Sequence, residues 1–243
     1  MNKSNHSSER TPLISVRNLK KSYLSAGESV EILHGLDFDI YPNEFVVILG
    51  ASGTGKTTLL NILGGLDSAD SGQVLVDGTD ISHLNEKQLN EYRRVQVGFI
   101  FQFYSLMPSL TVAENLRYVA EISHHPLDIE DTLSKVGMWD KRNSFPSQLS
   151  SGQQQRAAIA RALVKNPSII LADEPTGALD LATSKEVLIA MEEITSQGNG
   201  TILLITHNPE IARIADRVIV MRQGNIESDT LNPHRQSAQD LRW

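Results

Sequence analysis

The spacing of apolar and polar residues changes period several times along the chain, and each change predicts an element. Leu13-Ile14-Ser15-Val16 and Leu36-Asp37-Phe38-Asp39-Ile40 alternate as half-buried strands do, with a turn at Ser25-Ala26-Gly27-Glu28 between them. Phe45-Val46-Val47-Ile48-Leu49 is apolar throughout, the pattern of a strand covered on both faces. Residues 57–63 then begin a helix. Helical spacing returns over 111–122, with Thr111 as cap and Glu114 as its capping-box partner, and again over 128–136, ending near Gly137. A third helix over 150–164 is stopped by Asn166-Pro167. Two further buried strands, 168–172 and 201–206, flank an amphipathic helix over 183–196. Strands alternating with helices predict an α/β core with a mainly parallel sheet, and the helix-rich stretch of about 103–165 reads as an inserted subdomain.

The ends are more polar. Residues 1–12 read as a disordered lead-in without the apolar stretch of a secretory signal, and 227–243 as a polar tail carrying little of the core. No stretch approaches the roughly 18 uninterrupted apolar residues of a membrane span. The 22 basic and 29 acidic residues give a net charge of −7, which argues against nucleic acid as a partner. With no cysteine, disulfides and thiolate metal sites are excluded. His124-His125 lies in a loop with no matching ligand cluster and receives no role.

Chemistry concentrates at the ends of the apolar runs. Gly50-Ala51-Ser52-Gly53-Thr54-Gly55-Lys56-Thr57, continued by Thr58, is a complete phosphate-binding loop between a strand and a helix. Its glycines let backbone N–H groups turn toward phosphate oxygens; Lys56 reaches the β- and γ-phosphates, and the Thr57 hydroxyl can ligate Mg²⁺. Asp173-Glu174 follows a buried strand and emerges at its C-terminal edge. Asp173 is suited to hold Mg²⁺, and Glu174 to act on an attacking water as base or as hydrogen-bond acceptor. The bland alternative for the pair is a loop cap. His207 ends the run 201–206 and is either a solvated turn residue or a donor to charge developing on a γ-phosphate. Gln102 closes Phe99-Ile100-Phe101, where an amide can touch the metal or the water from a mobile junction.

Three segments together carry a family resemblance: Gly98-Phe99-Ile100-Phe101-Gln102, Leu149-Ser150-Ser151-Gly152-Gln153-Gln154-Gln155-Arg156 and Ala172-Asp173-Glu174-Pro175-Thr176-Gly177-Ala178-Leu179-Asp180. With the phosphate loop, they make residues 13–226 resemble the nucleotide-binding subunit of an ABC transporter, in the branch of the macrolide-export and lipoprotein-release ATPases. The resemblance implies a P-loop NTPase core with an N-terminal antiparallel β subdomain and an inserted α-helical subdomain. It implies ATP and Mg²⁺ as cofactors, and a homodimer, or a pair with another cassette, that closes around two nucleotides. Tyr23 would stack on adenine, although ordinary strand packing explains it equally. Ser150, Ser151, Gly152 and Gln153, at a helix start, would meet the nucleotide of the opposite subunit. Asp180 would cross the same interface, cap its own helix, or both. Phe103-Tyr104-Ser105-Leu106-Met107-Pro108 would receive a membrane permease, or fill the core of the inserted subdomain. A cytoplasmic-face location, peripheral through the permease, follows from the same resemblance.

An alternative within that resemblance is a cassette that signals or transmits force rather than moving a solute. A DNA-repair or translation factor fits less well, because the chain has one cassette, no long heptad run and acidic charge. Two letters depart from the family pattern. Asn43 stands where glycine usually precedes Glu44, a tolerable exchange in a left-handed turn. Ser151 replaces the first glycine of the usual pair. If that position needs positive φ, serine costs on the order of 1–2 kcal/mol; if it is an ordinary helix start, serine costs nothing.

Overall fold

A computed structural model describes residues 11–25, 27–196, 198 and 200–242. Most of the expected lead-in, residues 1–10, lies outside the described residues. The long hairpin of β1 (Ile14–Ser25) and β2 (Glu28–Ile40) pairs antiparallel from Ile14↔Ile40 to Ser25↔Glu28. These strands run much further than the two short alternating segments suggest. The reason is local: pairing shifts between Val16 and Leu19, between Leu19 and Lys20, and between Lys21 and Ser22 interrupt the period of two. With β4 (Ser71–Val76) and β5 (Thr79–Asp80), the hairpin forms a sheet in the order β2-β1-β4-β5.

The second sheet has the order β10-β9-β3-β8-β7-β6, formed by β3 (Phe45–Leu49), β6 (Val97–Ile100), β7 (Ile169–Asp173), β8 (Thr201–Thr206), β9 (Arg217–Arg222) and β10 (Asn225–Leu231). Only its β10–β9 pair is antiparallel. The continuous apolar runs are explained by burial on both faces. Phe45, Val47, Ile170, Ala172, Ile202 and Leu204 belong to one core cluster, and Val46, Ile48, Ile169, Leu171, Leu203 and Ile205 to the other. The second cluster packs α1 (Lys56–Leu63) and the antiparallel sheet on one face. The first packs α3 (Val112–Glu121), α4 (Ile129–Lys135), α5 (Ser151–Leu163) and α6 (Leu181–Ser196) on the other.

Helix α3 starts as its sequence dictates, with the Thr111 side chain and Glu114 forming a reciprocal capping box. Helix α2 (Glu86–Gln96) is absent from the reading by periodicity, because Tyr92 is its one buried residue and no apolar stripe exists to detect. Its Asn85–Gln88 capping box is the signal the sequence did offer.

The C-terminal segment is the clearest departure. Rather than a tail with little of the core, it supplies β10 and then folds back onto α6, burying Ala238 and Leu241 almost completely. Its polar residues are spent on that docking. Arg235 binds Asp216 at 2.9 Å and Glu192 at 2.9 Å, and Glu192 also accepts from the Ala238 N–H at 3.0 Å. Burial opposes the charge on Arg235, but these carboxylates outweigh it and hold the guanidinium above its ordinary value. Leu241→Ala is expected to lower unfolding stability in urea by about 2–5 kcal/mol. A change within error would mean that the segment contributes nothing to the core.

Candidate functional site

Parallel pairing sets the site. Leu49 lies opposite Thr206 and Asp173 opposite Ile205, so the segments following β3, β7 and β8 leave the sheet at one edge. At that edge Gly50 N donates to Thr206 O at 3.3 Å. The loop turns through Gly53 and Gly55 at φ of 80° and 96°, left-handed backbone that favours glycine. Gly55 also packs closely: a Cβ there would lie 2.8 Å from Leu33 Cδ2, whereas at Gly53 nothing lies within 4 Å. The loop is therefore packed on its own chain at one point and open at the other. Lys56 opens α1 and is buried, its Nζ donating to Gly50 O at 2.7 Å and Ala51 O at 2.9 Å. Burial pulls its amine below the ordinary value, against the charges of Glu174 and Asp173.

Glu174 is held by its backbone as much as by its side chain. It adopts φ 45°, a conformation costing a non-glycine residue about 1–2 kcal/mol, and its N–H donates to Ile205 O at 3.0 Å. One carboxylate oxygen accepts from the Thr206 hydroxyl at 2.9 Å. The other accepts from the His207 N–H at 3.0 Å and lies 2.8 Å from His207 Nδ1. The His207 side chain is 63% exposed and that of Glu174 only 16%, so the acid is the inner partner of the pair. Asp173 sits one residue back. Burial raises its carboxyl above the ordinary range and Glu174 pushes the same way, opposed by a hydrogen bond from Thr57 and the charge of Lys56.

Lys56, Thr57, Asp173 and Glu174 line one open cleft with Tyr23, Ile32, Ser52, Gly53, Gly55, Thr58 and Gln102; His207 touches it only through its bonds to Glu174. Among the described residues there is no group of three or more His, Cys, Asp or Glu able to cage a metal ion. A hydroxyl, one or two carboxylates and an amide fit a hard cation that keeps waters and shares its ligands with a phosphate, as Mg²⁺ does. The buried lysine and the open loop at Gly53 fit a polyphosphate. Tyr23 is 40% exposed, and its hydroxyl donates to Asp67 at 2.5 Å. Lys21 Nζ lies 5.0 Å from the ring centre. The ring thus stands fixed at the cleft wall rather than packed into a core.

The remaining sequence candidates form a second group outside that cleft. Ser150 caps α5, its hydroxyl accepting from Gln153 N at 3.3 Å while Gln153 Oε1 accepts from Ser150 N at 3.0 Å. Ser151 is the first residue of α5 and is not among the residues with positive φ, so it is an ordinary helix start without strain. Asp180 accepts from the Thr183 N–H at 3.0 Å and its hydroxyl at 2.7 Å, bonds that hold its carboxyl below the ordinary range. A Cβ on Gly152 would collide with the Thr183 side chain, so the starts of α5 and α6 abut there. Asn43 does occupy a left-handed turn, at φ 64°. Of the segment after Gln102, Phe103 is 77% exposed whereas Leu106 packs against the core, so it divides between the two readings.

A family model described as ABC transporter matches residues 33–177, a span holding the phosphate loop, Gln102, the 149–153 segment and Asp173-Glu174. The chain belongs to the ABC transporter family. Its fold matches the solved dimeric ATP-binding cassette MJ0796, in a post-hydrolysis state bound to ADP and Pi. The TM-score is 0.81 and the identity 35%, over 90% of this chain and 98% of that one. The macrolide export ATP-binding/permease protein MacB of Shigella flexneri is 44% identical over 221 residues, 89% of this chain and 34% of its own length. The pyoverdine export ATP-binding/permease protein PvdT of Pseudomonas fluorescens is 46% identical over 228 residues, 91% of this chain and 34% of its own. The chain thus spans between about a third and a half of the curated relatives it matches.

Within this ABC transporter cassette, sequence reasoning missed several supporting residues. Ile32 lines the cleft from β2, and Asp67 and Lys21 hold Tyr23, but no local motif marks any of them. Thr206 escaped notice as the last letter of an apolar run, although a hydroxyl there stood out from its neighbours. Asn115 is fully buried and ties Met107, Leu110 and Thr111 together through its amide.

Two outcomes follow. Without ligands, Asp173→Asn is expected to raise the urea midpoint at neutral pH by removing a buried charge. The folded protein holds the Asp173 proton to higher pH than the unfolded chain. The wild type should therefore lose stability relative to the variant as pH rises from 3.8 through the elevated value. A difference constant from acid to neutral pH would contradict the assignment. Ser151→Gly should lower stability by about 0.5–1 kcal/mol, measured by urea unfolding, because it adds unfolded-state freedom without relieving strain.

Proposed function

We propose that the chain is the ATP-hydrolysing subunit of a membrane ABC transporter of the extrusion type, pairing with a second copy around two ATP·Mg²⁺ and driving a partner permease. The observation that supports it most is the convergence of Lys56, Thr57, Gln102, Asp173 and Glu174 in one cleft. Thr57, Asp173 and Gln102 would hold Mg²⁺, whose role is to offset charge on the phosphate oxygens. Backbone N–H groups from Gly50 to Thr58 would cradle the phosphates and Lys56 would neutralise them, leaving its present carbonyl partners to do so. Tyr23 would stack on adenine from the cleft wall.

Glu174 would orient a water for in-line attack on the γ-phosphorus and accept its proton as the P–O bond to the leaving ADP breaks. Thr206 and the His207 backbone preset that carboxylate. A neutral His207 that donates from Nδ1 to Glu174 presents Nε2 only as an acceptor. Donation to the γ-phosphate therefore calls for the imidazolium form. Ser150, Ser151, Gly152, Gln153 and Asp180 lie outside the cleft, so the reading gives them to the nucleotide of the opposite copy, which the positive end of α5 suits. Named export activity in MacB and PvdT supports the extrusion type.

The segment that begins with exposed Phe103 would receive the permease. Attachment at the cytoplasmic face would run through that partner. Among the described residues no helix is long and apolar enough to cross a membrane. Glu174→Gln tests the chemistry. Phosphate release is expected to fall by about 10²-fold or more, with ATP affinity within about threefold of wild type. Normal turnover in that variant would remove Glu174 from the mechanism.

A further inference from the structure

Tyr23 stands on the least supported part of β1. On one side that strand keeps β2 to its end, with Tyr23 opposite Val30. On the other side β4 accompanies it only from Ile14 to Lys20, which lies opposite Ser71. Beyond Lys20 a turn takes the place of a neighbouring strand. Asp70 N donates to Lys20 O at 2.9 Å, and Ser22 N donates to Asp70 Oδ2 at 2.6 Å. Lys21 Nζ reaches from β1 to Asp67 Oδ1 at 2.9 Å and to Ser68 O at 2.7 Å, while the Tyr23 hydroxyl donates to the other oxygen of Asp67.

That turn is the continuation of α1. After Leu63 the chain folds back through Gly65, at φ 65°, and the N–H groups of Leu66 and Asp67 both donate to Asn61 O, at 2.8 and 3.3 Å. One helix of eight residues thus begins at the phosphate loop with Lys56 and runs on into the carboxylate that holds the Tyr23 ring. Lys21 is buried, which alone would lower its amine, but Asp67 and Asp70 hold it above its ordinary value. Burial alone would likewise raise Asp67, and its bonds to Tyr23 and Lys21 hold it below the ordinary range. With one oxygen on each partner, the carboxylate lets neither turn without breaking a charge-assisted bond. A phenol committed to Asp67 has no proton left to donate to a base, so the ring offers its face.

We propose that Asp67 and Lys21 are positioning residues for the nucleobase: they set the place and tilt of the Tyr23 ring before nucleotide arrives, and tie both to the helix that carries the phosphate loop. The inference rests on the proposed function, in which that ring stacks on adenine. A ring untethered at a half-exposed strand end has to be ordered at every binding event, and stacking is weakened by that loss. Asp67 is not among the groups that line the cleft, so its contribution falls on binding and not on the chemical step.

ATP binding and turnover by the full chain test this, with inorganic triphosphate as the probe that lacks a base. Tyr23→Phe keeps the ring and removes its bond to Asp67. Asp67→Ala removes the same bond from the other side, and Asp67→Asn restores an acceptor. Tyr23→Phe and Asp67→Ala are each expected to raise KM for ATP about fivefold, within the span that base–aromatic stacking carries, with kcat within about twofold. Combined, they should raise KM no further than the larger single effect, and Asp67→Asn should recover about half of the loss. Binding of Mg²⁺-triphosphate should stay within about twofold of wild type throughout, a selectivity that general loosening would not produce. If Asp67→Ala does not fold, Tyr23→Phe carries the same comparison with the Lys21–Asp67 pair intact. Wild-type KM in Tyr23→Phe, alongside weakened ATP binding in Tyr23→Ala, overturns the positioning role and leaves the stacking reading intact. Unchanged ATP binding in Tyr23→Ala overturns both.

Discussion

The parallel pairing of β8 between β3 and β7 is the constraint on which the rest of the molecule depends. Because the three strands run together in fixed register, the loop after Leu49, the acids at 173 and 174 and the Thr206-His207 corner must leave the sheet side by side. Slipping β8 by one residue would turn its side chains to the other face and carry Thr206 away from Glu174. Burial of both sheet faces makes such a slip costly, since every residue of β8 belongs to the interior. The packing that folds the protein therefore also sets the distance between Glu174 and the glycine-rich loop after β3. Glu174 shows the result: a strained backbone, tied to Ile205, aims a carboxylate that Thr206 and His207 hold still.

How much could be read beforehand depended on whether a residue's reason was local. Strands β3, β7 and β8 were legible because a strand buried on both faces needs an unbroken apolar run, and little else in a soluble chain does. The α3 start was legible because a capping box is a four-residue contract. The loop of residues 50–58 and the acid pair stood out for the same reason, since each is a run of adjacent letters. What escaped was decided at a distance. The bulged pairing of β1 hides its alternation, α2 is too polar to show a stripe, and the C-terminal segment is polar because Asp216 and Glu192 await Arg235. Ser151 was ambiguous in the sequence because its cost turns on a single dihedral angle, which the structure supplies.

The two groups of candidate residues have different completeness. The cleft around Lys56 and Asp173 is assembled within one chain. The group at the starts of α5 and α6 is internally satisfied, with Ser150 bonded to Gln153 and Asp180 to Thr183, and with Gly152 closing the space between the helices. A surface prepared in this way is rigid before any encounter. Rigid, pre-ordered contacts lose little side-chain freedom on association, which favours binding that is selective without being permanent.

Lys56 carries a consequence of a different kind. Its ammonium is already solvated by the loop it belongs to, through Gly50 O and Ala51 O. An arriving phosphate does not find a bare cation waiting, and a departing one does not leave a naked buried charge behind. Capture and release become an exchange of one set of oxygens for another around a fixed nitrogen. Such an exchange flattens the energy difference between the loaded and empty loop, so a bound anion can leave as readily as it arrives.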